Sequence, residues 1–104
     1  EVKMPDGHWR GVQAGRNELV INLGDMMARW TNDRWRSTLH RVANPKNLAD
    51  ATSRRQSIGY FMHPNFDTLV GCLPTCLDPG EQPRYAPITA GEHIAMKIAK
   101  SHDV

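Results

Sequence analysis

Arg36-Ser37-Thr38-Leu39-His40-Arg41-Val42 is the stretch whose reading decides the fold. From Trp35 to Val42 the residues alternate with the period of a strand. Arg36, Thr38, His40 and Val42 share one face, and Trp35, Ser37, Leu39 and Arg41 share the other. The pleat therefore directs the one histidine of this stretch. Across one loop, Arg55-Gln56-Ser57-Ile58 starts a second alternating run, with Arg55, Ser57, Gly59 and Phe61 on one face. A guanidinium and a hydroxyl two residues apart on a strand stand roughly 7 Å from each other. Both can converge on one carboxylate, the arginine as a planar fork and the serine as a further donor. Gly59, next on that face, leaves room for a ligand. A histidine on one strand and an Arg/Ser pair on its neighbour suit a metal beside a bound carboxylate.

Working outward, Leu19-Val-Ile-Asn-Leu-Gly-Asp25, Arg29-Trp-Thr-Asn32, Arg36-Ser-Thr-Leu-His40-Arg-Val and Arg55-Gln-Ser57-Ile occur in that order. They resemble the C-terminal part of the isopenicillin N synthase-like Fe(II)/2-oxoglutarate dioxygenases. The resemblance continues through Pro64-Asn65, Leu73-Pro74 and Tyr85-Ala-Pro-Ile-Thr-Ala-Gly-Glu92, so it covers nearly the whole chain. It implies a mainly β fold, the C-terminal part of a double-stranded β-helix or jelly roll, with residues 1–104 as the C-terminal portion of a single dioxygenase domain. It implies Fe(II) as cofactor and 2-oxoglutarate as cosubstrate, with ascorbate as an optional addition. Carried over residue by residue, His40 is the last iron ligand, and Arg55 and Ser57 hold the distal carboxylate of 2-oxoglutarate. The reaction implied turns 2-oxoglutarate and O2 into succinate and CO2 while a small organic substrate is hydroxylated or otherwise oxidised. A 2-His-1-carboxylate triad leaves open iron positions for the cosubstrate and O2.

One departure matters more than the matches. The family's other two iron ligands form a His-x-Asp motif, and this chain has none. His8 is followed by Trp9-Arg10, His40 by Arg41-Val42 and His63 by Pro64-Asn65, and His93 and His102 fail likewise. The expectation is a fragment beginning just after the missing ligands, inactive alone, and marginally stable or self-associating because half a β-helix leaves strand edges exposed. Two other readings remain: an oxidase of the same scaffold that uses no 2-oxoglutarate, and a non-catalytic jelly-roll fragment acting as an interaction module.

The rest of the chain is read from local signals. Glu1 to Val12 reads as a strand, a Pro5-Asp6-Gly7 turn and a return strand. Glu18 to Leu23 is an apolar run of strand length, after which Asp25 is the expected N-cap of a short helix through Met26, Met27, Ala28 and Trp30. Thr31-Asn32-Asp33 turns the chain into the His40 strand. Ala43 to Arg54 reads as a loop over the site mouth, Leu69 to Leu73 as a short strand, and Pro74 to Pro87 as a connection. Thr89-Ala-Gly-Glu92 is a capping box opening a C-terminal helix. On that helix Ile94, Ala95, Ile98 and Ala99 form the stripe expected to pack on the sheet.

Composition excludes little, but usefully. With 39% apolar and 23% charged residues among 104, the chain is an ordinary globular one. No apolar run approaches the roughly 20 residues that span a bilayer, and the cytoplasm is the default compartment. A net charge of +2 comes from scattered lysines and arginines, not the clustered basic face of a nucleic-acid binder. Cys72 and Cys76 are too few thiolates for a structural zinc site and are expected reduced and partly buried. Trp30 and Trp35, interleaved with arginines, are expected in packing and cation–π contacts. His63, Asp67 and His93 are expected at the surface. A lone strand histidine is more often structural than a metal ligand, and Arg-x-Ser alone is a weak signal, so the roles of His40, Arg55 and Ser57 rest on the ordered motifs.

Overall fold

The computed structural model describes residues 1–44 and 56–102. They form two compact units, one of residues 1–21, 38–44 and 56–61, the other of residues 22–37 and 62–102.

In the first unit, β1 (Val2–Lys3) and β2 (Trp9–Arg10) pair antiparallel, Val2 opposite Arg10 and Lys3 opposite Trp9. The Pro5-Asp6-Gly7 loop makes this hairpin for identifiable reasons. The Gly7 N–H donates to the Met4 carbonyl (2.9 Å) and the Met4 N–H to the His8 carbonyl (2.8 Å). The Asp6 carboxylate accepts from the His8 N–H at 2.9 Å. Gly7 takes a φ of 86°, the left-handed position that a three-residue hairpin loop needs and glycine accepts without strain.

The second unit begins with α1 (Asp25–Trp30). Its N-cap is Gly24 and not Asp25 as expected: Gly24 is extended and Asp25 is the first helical residue, where its negative charge still complements the helix dipole. Asn32 and Asp33, with φ of 52° and 64°, turn the chain after the helix. Asn is among the few residues that tolerate this conformation. Asn32 is only 3% exposed. Its amide donates to Glu81 Oε1 (3.0 Å) and its Oδ1 accepts from the Arg84 N–H (2.8 Å). Beside it the Tyr85 hydroxyl donates to the Asp33 carboxylate at 2.9 Å, which pushes the phenol pKa up. The 31–33 turn is thereby fastened to residues 81–85.

β3 (Leu69–Val70) pairs antiparallel with β4 (Ile88–Thr89), and α2 (Ala90–His102) continues β4 without a loop. The capping box forms as expected. The Glu92 N–H donates to Thr89 Oγ1 (3.2 Å), while Glu92 Oε2 accepts from the Thr89 N–H (3.0 Å) and hydroxyl (2.7 Å). The Gly91 N–H donates to the Phe66 carbonyl at 2.9 Å, and a Cβ at Gly91 would lie 3.1 Å from that oxygen, so a larger residue here would press the backbone back by a few tenths of an ångström. A one-turn 3-10 helix, Pro74–Cys76, interrupts the 74–87 connection. Ala28, Val70 and Ala90 form the small apolar core, joined by the buried polar residues Thr31, Asn32 and His93.

Several expectations are corrected. Regular β structure among the described residues is confined to four two-residue strands and one isolated bridge at His40, and no strand forms over 18–23 or 56–62. Strands need a paired neighbour and a covered face. Here Leu19 and Ile58 are 89% and 90% exposed. The buried side of α2 is set by Ala90 and His93, not by the Ile94/Ile98 stripe: Ala95 and Ala99 are exposed and Ile98 is 53% exposed. Because α2 leaves β4 directly, the strand fixes the rotation of the helix, and periodicity alone misassigns its face. His93 is therefore buried and not a surface residue, whereas His63 and Asp67 are exposed as expected. Among the described residues the cation–π contacts join Arg29 to Tyr85 and Arg41 to Trp9, not Trp30 or Trp35. Cys72 and Cys76 are unpaired and half-buried, as expected, and partial burial pushes the Cys72 thiol pKa up. No described helix is long and apolar enough to cross a membrane.

Candidate functional site

His40 is positioned by backbone pairing to β1. The Lys3 N–H donates to the Leu39 carbonyl (2.8 Å), the Arg41 N–H to the Glu1 carbonyl (3.0 Å), and the Glu1 amino nitrogen to the Arg41 carbonyl (2.9 Å). Val2 and His40 are thus the facing, non-hydrogen-bonded pair of an antiparallel bridge, and their side chains share one face. With Val2 opposite Arg10 on its other side, β1 is the middle segment and places Arg10, Val2 and His40 on that same face.

The opposite face carries the fastening. The Arg41 guanidinium lies 4.0 Å above the centre of the Trp9 ring and pairs with Glu1, Nε and Nη2 each 2.9 Å from Oε2. The alternation read from Trp35 to Val42 requires this: Arg41 grips one face, so His40 is presented on the other.

The His40 ring is itself oriented. Its Nδ1 lies 3.2 Å from the Thr38 carbonyl oxygen. A carbonyl only accepts, so as a hydrogen bond this contact is donated by Nδ1, and it turns the ring about the strand-like backbone that carries it.

Arg55 lies outside the described residues, as does most of the 43–54 loop. Ser57 is exposed, in a stretch without regular structure. Sequence reasoning singled out His40 but missed the fastening of Arg41 to Glu1 and Trp9 behind it. The one signal for it was the alternation that placed Arg41 opposite His40, and nothing local pairs residue 41 with residue 1. Among the described residues, no three His, Cys, Asp or Glu side chains lie together to hold a metal ion. Among the described residues this part of the chain therefore offers one imidazole and not a closed metal centre.

The chain is similar to known proteins over most of its length. Residues 1–64 match the family model described as the 2OG-Fe(II) oxygenase superfamily. The chain is 42% identical over 98 residues to the "2-oxoglutarate-Fe(II) type oxidoreductase hxnY" of Emericella nidulans, covering 94% of this chain and 27% of that protein. It is 36% identical over 87 residues to the "2-oxoglutarate-Fe(II) type oxidoreductase ppzD" of Metarhizium majus, covering 84% of this chain and 25% of the relative. It is 38% identical over 90 residues to "Gibberellin 2-beta-dioxygenase 6" of Oryza sativa subsp. japonica, with 86% and 22% covered. The chain thus spans about a quarter of the length of these curated relatives. No solved structure matches it. The match over residues 1–64 includes β1, β2 and His40, and with this extent of identity the chain belongs to the 2OG-Fe(II) oxygenase superfamily.

Proposed function

We propose that the chain is the C-terminal portion of the catalytic jelly-roll domain of an oxidoreductase that uses Fe(II), O2 and 2-oxoglutarate to hydroxylate or otherwise oxidise a small organic substrate. In this reading His40 is one iron ligand, and a His and an Asp outside these 104 residues complete the triad. Arg55 and Ser57 grip the distal carboxylate of 2-oxoglutarate, the arginine by its two-pronged charge and the serine by its hydroxyl.

The observation that carries the reading is the presentation of His40. Its backbone is bridged to β1 opposite Val2, and its Nδ1 lies 3.2 Å from the Thr38 carbonyl oxygen, which fixes where the ring stands. The relatives' printed names support the use of 2-oxoglutarate over the cosubstrate-independent alternative.

The test uses the protein that contains this chain together with the expected upstream ligands. His40→Ala should abolish both iron binding and oxygen-dependent succinate formation. Arg55→Ala should leave iron binding intact and raise the KM for 2-oxoglutarate strongly. Full iron affinity in the His40 variant would refute its assignment. An unchanged 2-oxoglutarate dependence in the Arg55 variant would refute the carboxylate grip.

A further inference from the structure

The second unit contains a cleft of about 390 Å³ between α1 and α2 that the proposed reaction does not use. Its polar lining comprises Asp25, Arg29 and Ser37 on one side and His93, Lys97 and Lys100 on the other. Tyr85, Ala28 and Met96 supply the rest of the wall.

The charges in this cleft do not balance. Asp25 is its one carboxylate, and that carboxylate is engaged by the Lys97 ammonium and the Ser37 hydroxyl, which hold its pKa below the usual range. Arg29 gives one N–H to the Ala86 carbonyl (3.1 Å) and lies over the Tyr85 ring, and its other guanidinium donors have no partner among the described residues. Lys100 has none either. His93 is 5% exposed and its Nδ1 has no hydrogen-bond partner among the described residues. Burial, with Arg29 nearby, lowers its pKa, so at neutral pH it adds no charge. Two cations remain uncompensated in a concave, partly desolvated space, where fields are focused.

We propose that this cleft binds a small organic anion, one that presents a carboxylate or phosphate group to Arg29 and Lys100. The guanidinium fork suits either group, the lysine adds a movable point charge, and Ala28, Met96 and Tyr85 offer apolar surface to the remainder of the ligand. The volume lies at the low end of the roughly 300–1,000 Å³ typical of small-molecule sites, so the occupant is a small molecule and not a polymer. Every residue that lines this cleft belongs to the second unit and none to the unit that contains His40, and the proposal stands whether or not the iron assignment does.

The test titrates the chain with inorganic phosphate and with citrate, followed by calorimetry and by the NMR signals of the His93 ring. Saturable binding is expected, and bound anion should make His93 easier to protonate, because negative charge favours the imidazolium. Lys100→Gln should weaken binding about three- to tenfold, as for loss of one partly exposed charge contact, while Lys3→Gln in the other unit should change nothing. Asp25→Asn should strengthen binding, since it removes the one negative charge and releases Lys97. A general loss of structure would not strengthen it. Binding of phosphate alone or of citrate alone supports the site and names its preferred group. Absence of saturation with both probes, equal effects of Lys100→Gln and Lys3→Gln, or weaker binding in a folded Asp25→Asn variant would overturn the proposal.

Discussion

Arg41 closes on Glu1 across forty residues of sequence, with Nε and Nη2 each 2.9 Å from Glu1 Oε2 and the guanidinium plane resting on Trp9. This contact lies on the face opposite His40, immediately after it in the chain. It works as a rivet: the backbone bonds between residues 1–3 and 39–41 set the register, and Arg41 holds that register from behind.

Replacing Arg41 by Ala should therefore cost about 1 kcal/mol, the sum of a half-exposed ion pair and one cation–π contact. Arg41→Lys keeps the charge but not the planar fork, and should fall between the two. Urea unfolding of the chain measures this. A change within error of zero for Arg41→Ala would show that the backbone pairing alone positions His40.

Asn32 should be far less replaceable than its place in a turn suggests. Asn32→Ala removes a buried side chain that both donates to Glu81 and accepts from the Arg84 N–H, in a left-handed conformation that alanine resists. A loss of about 2–3 kcal/mol is expected in chemical denaturation. Asn32→Asp keeps the acceptor for Arg84 but brings a charge against Glu81, and should be destabilising above the carboxylate range and milder below it.

The start of α2 should depend on its capping box. Thr89→Ala should lower stability by about 1 kcal/mol, the usual effect of removing a capping hydroxyl. The Thr89 hydroxyl and N–H hold the Glu92 pKa below its ordinary value. A carboxylate with a depressed folded pKa stabilises above its unfolded pKa and loses that contribution as pH falls through the folded one. Helix content of α2, followed by circular dichroism, should therefore decline in acid with the native residue, and Glu92→Gln should flatten that part of the profile.

His93 and Asp25 should produce acid sensitivity in two separate windows. His93 is a base whose folded pKa is lowered by burial and by Arg29, so the unfolded chain binds its proton first. Stability should fall as pH drops below its ordinary value of about 6.5, and stop falling once the folded histidine is also protonated. Asp25, lowered by Lys97 and Ser37, adds a second loss as pH falls below about 3.8 and through its folded pKa. His93→Phe should remove the upper window at little cost near pH 8, because Nδ1 has no hydrogen bond to lose among the described residues. A melting temperature with the same slope near pH 6 in wild type and His93→Phe would contradict this.

What was legible in the sequence was whatever depends on neighbours along the chain. Pro5-Asp6-Gly7 specifies its hairpin because proline presets one backbone angle and glycine accepts the left-handed one. Thr89 and Glu92 specify a helix start because their side chains reach backbone groups three residues apart. The alternation from Trp35 to Val42 separated His40 from Arg41, and the ordered motifs around it pointed to the family. Tertiary structure decided everything that requires residues distant in the chain to meet. That β1 bridges to the His40 segment, that Arg41 meets Glu1 and Trp9, that Asn32 is buried against residues 81–84, and that α2 turns His93 inward instead of Ile98 are all set by pairing and packing. Local periodicity carries the pattern of an element but not the identity of the surface it meets, and burial belongs to that surface.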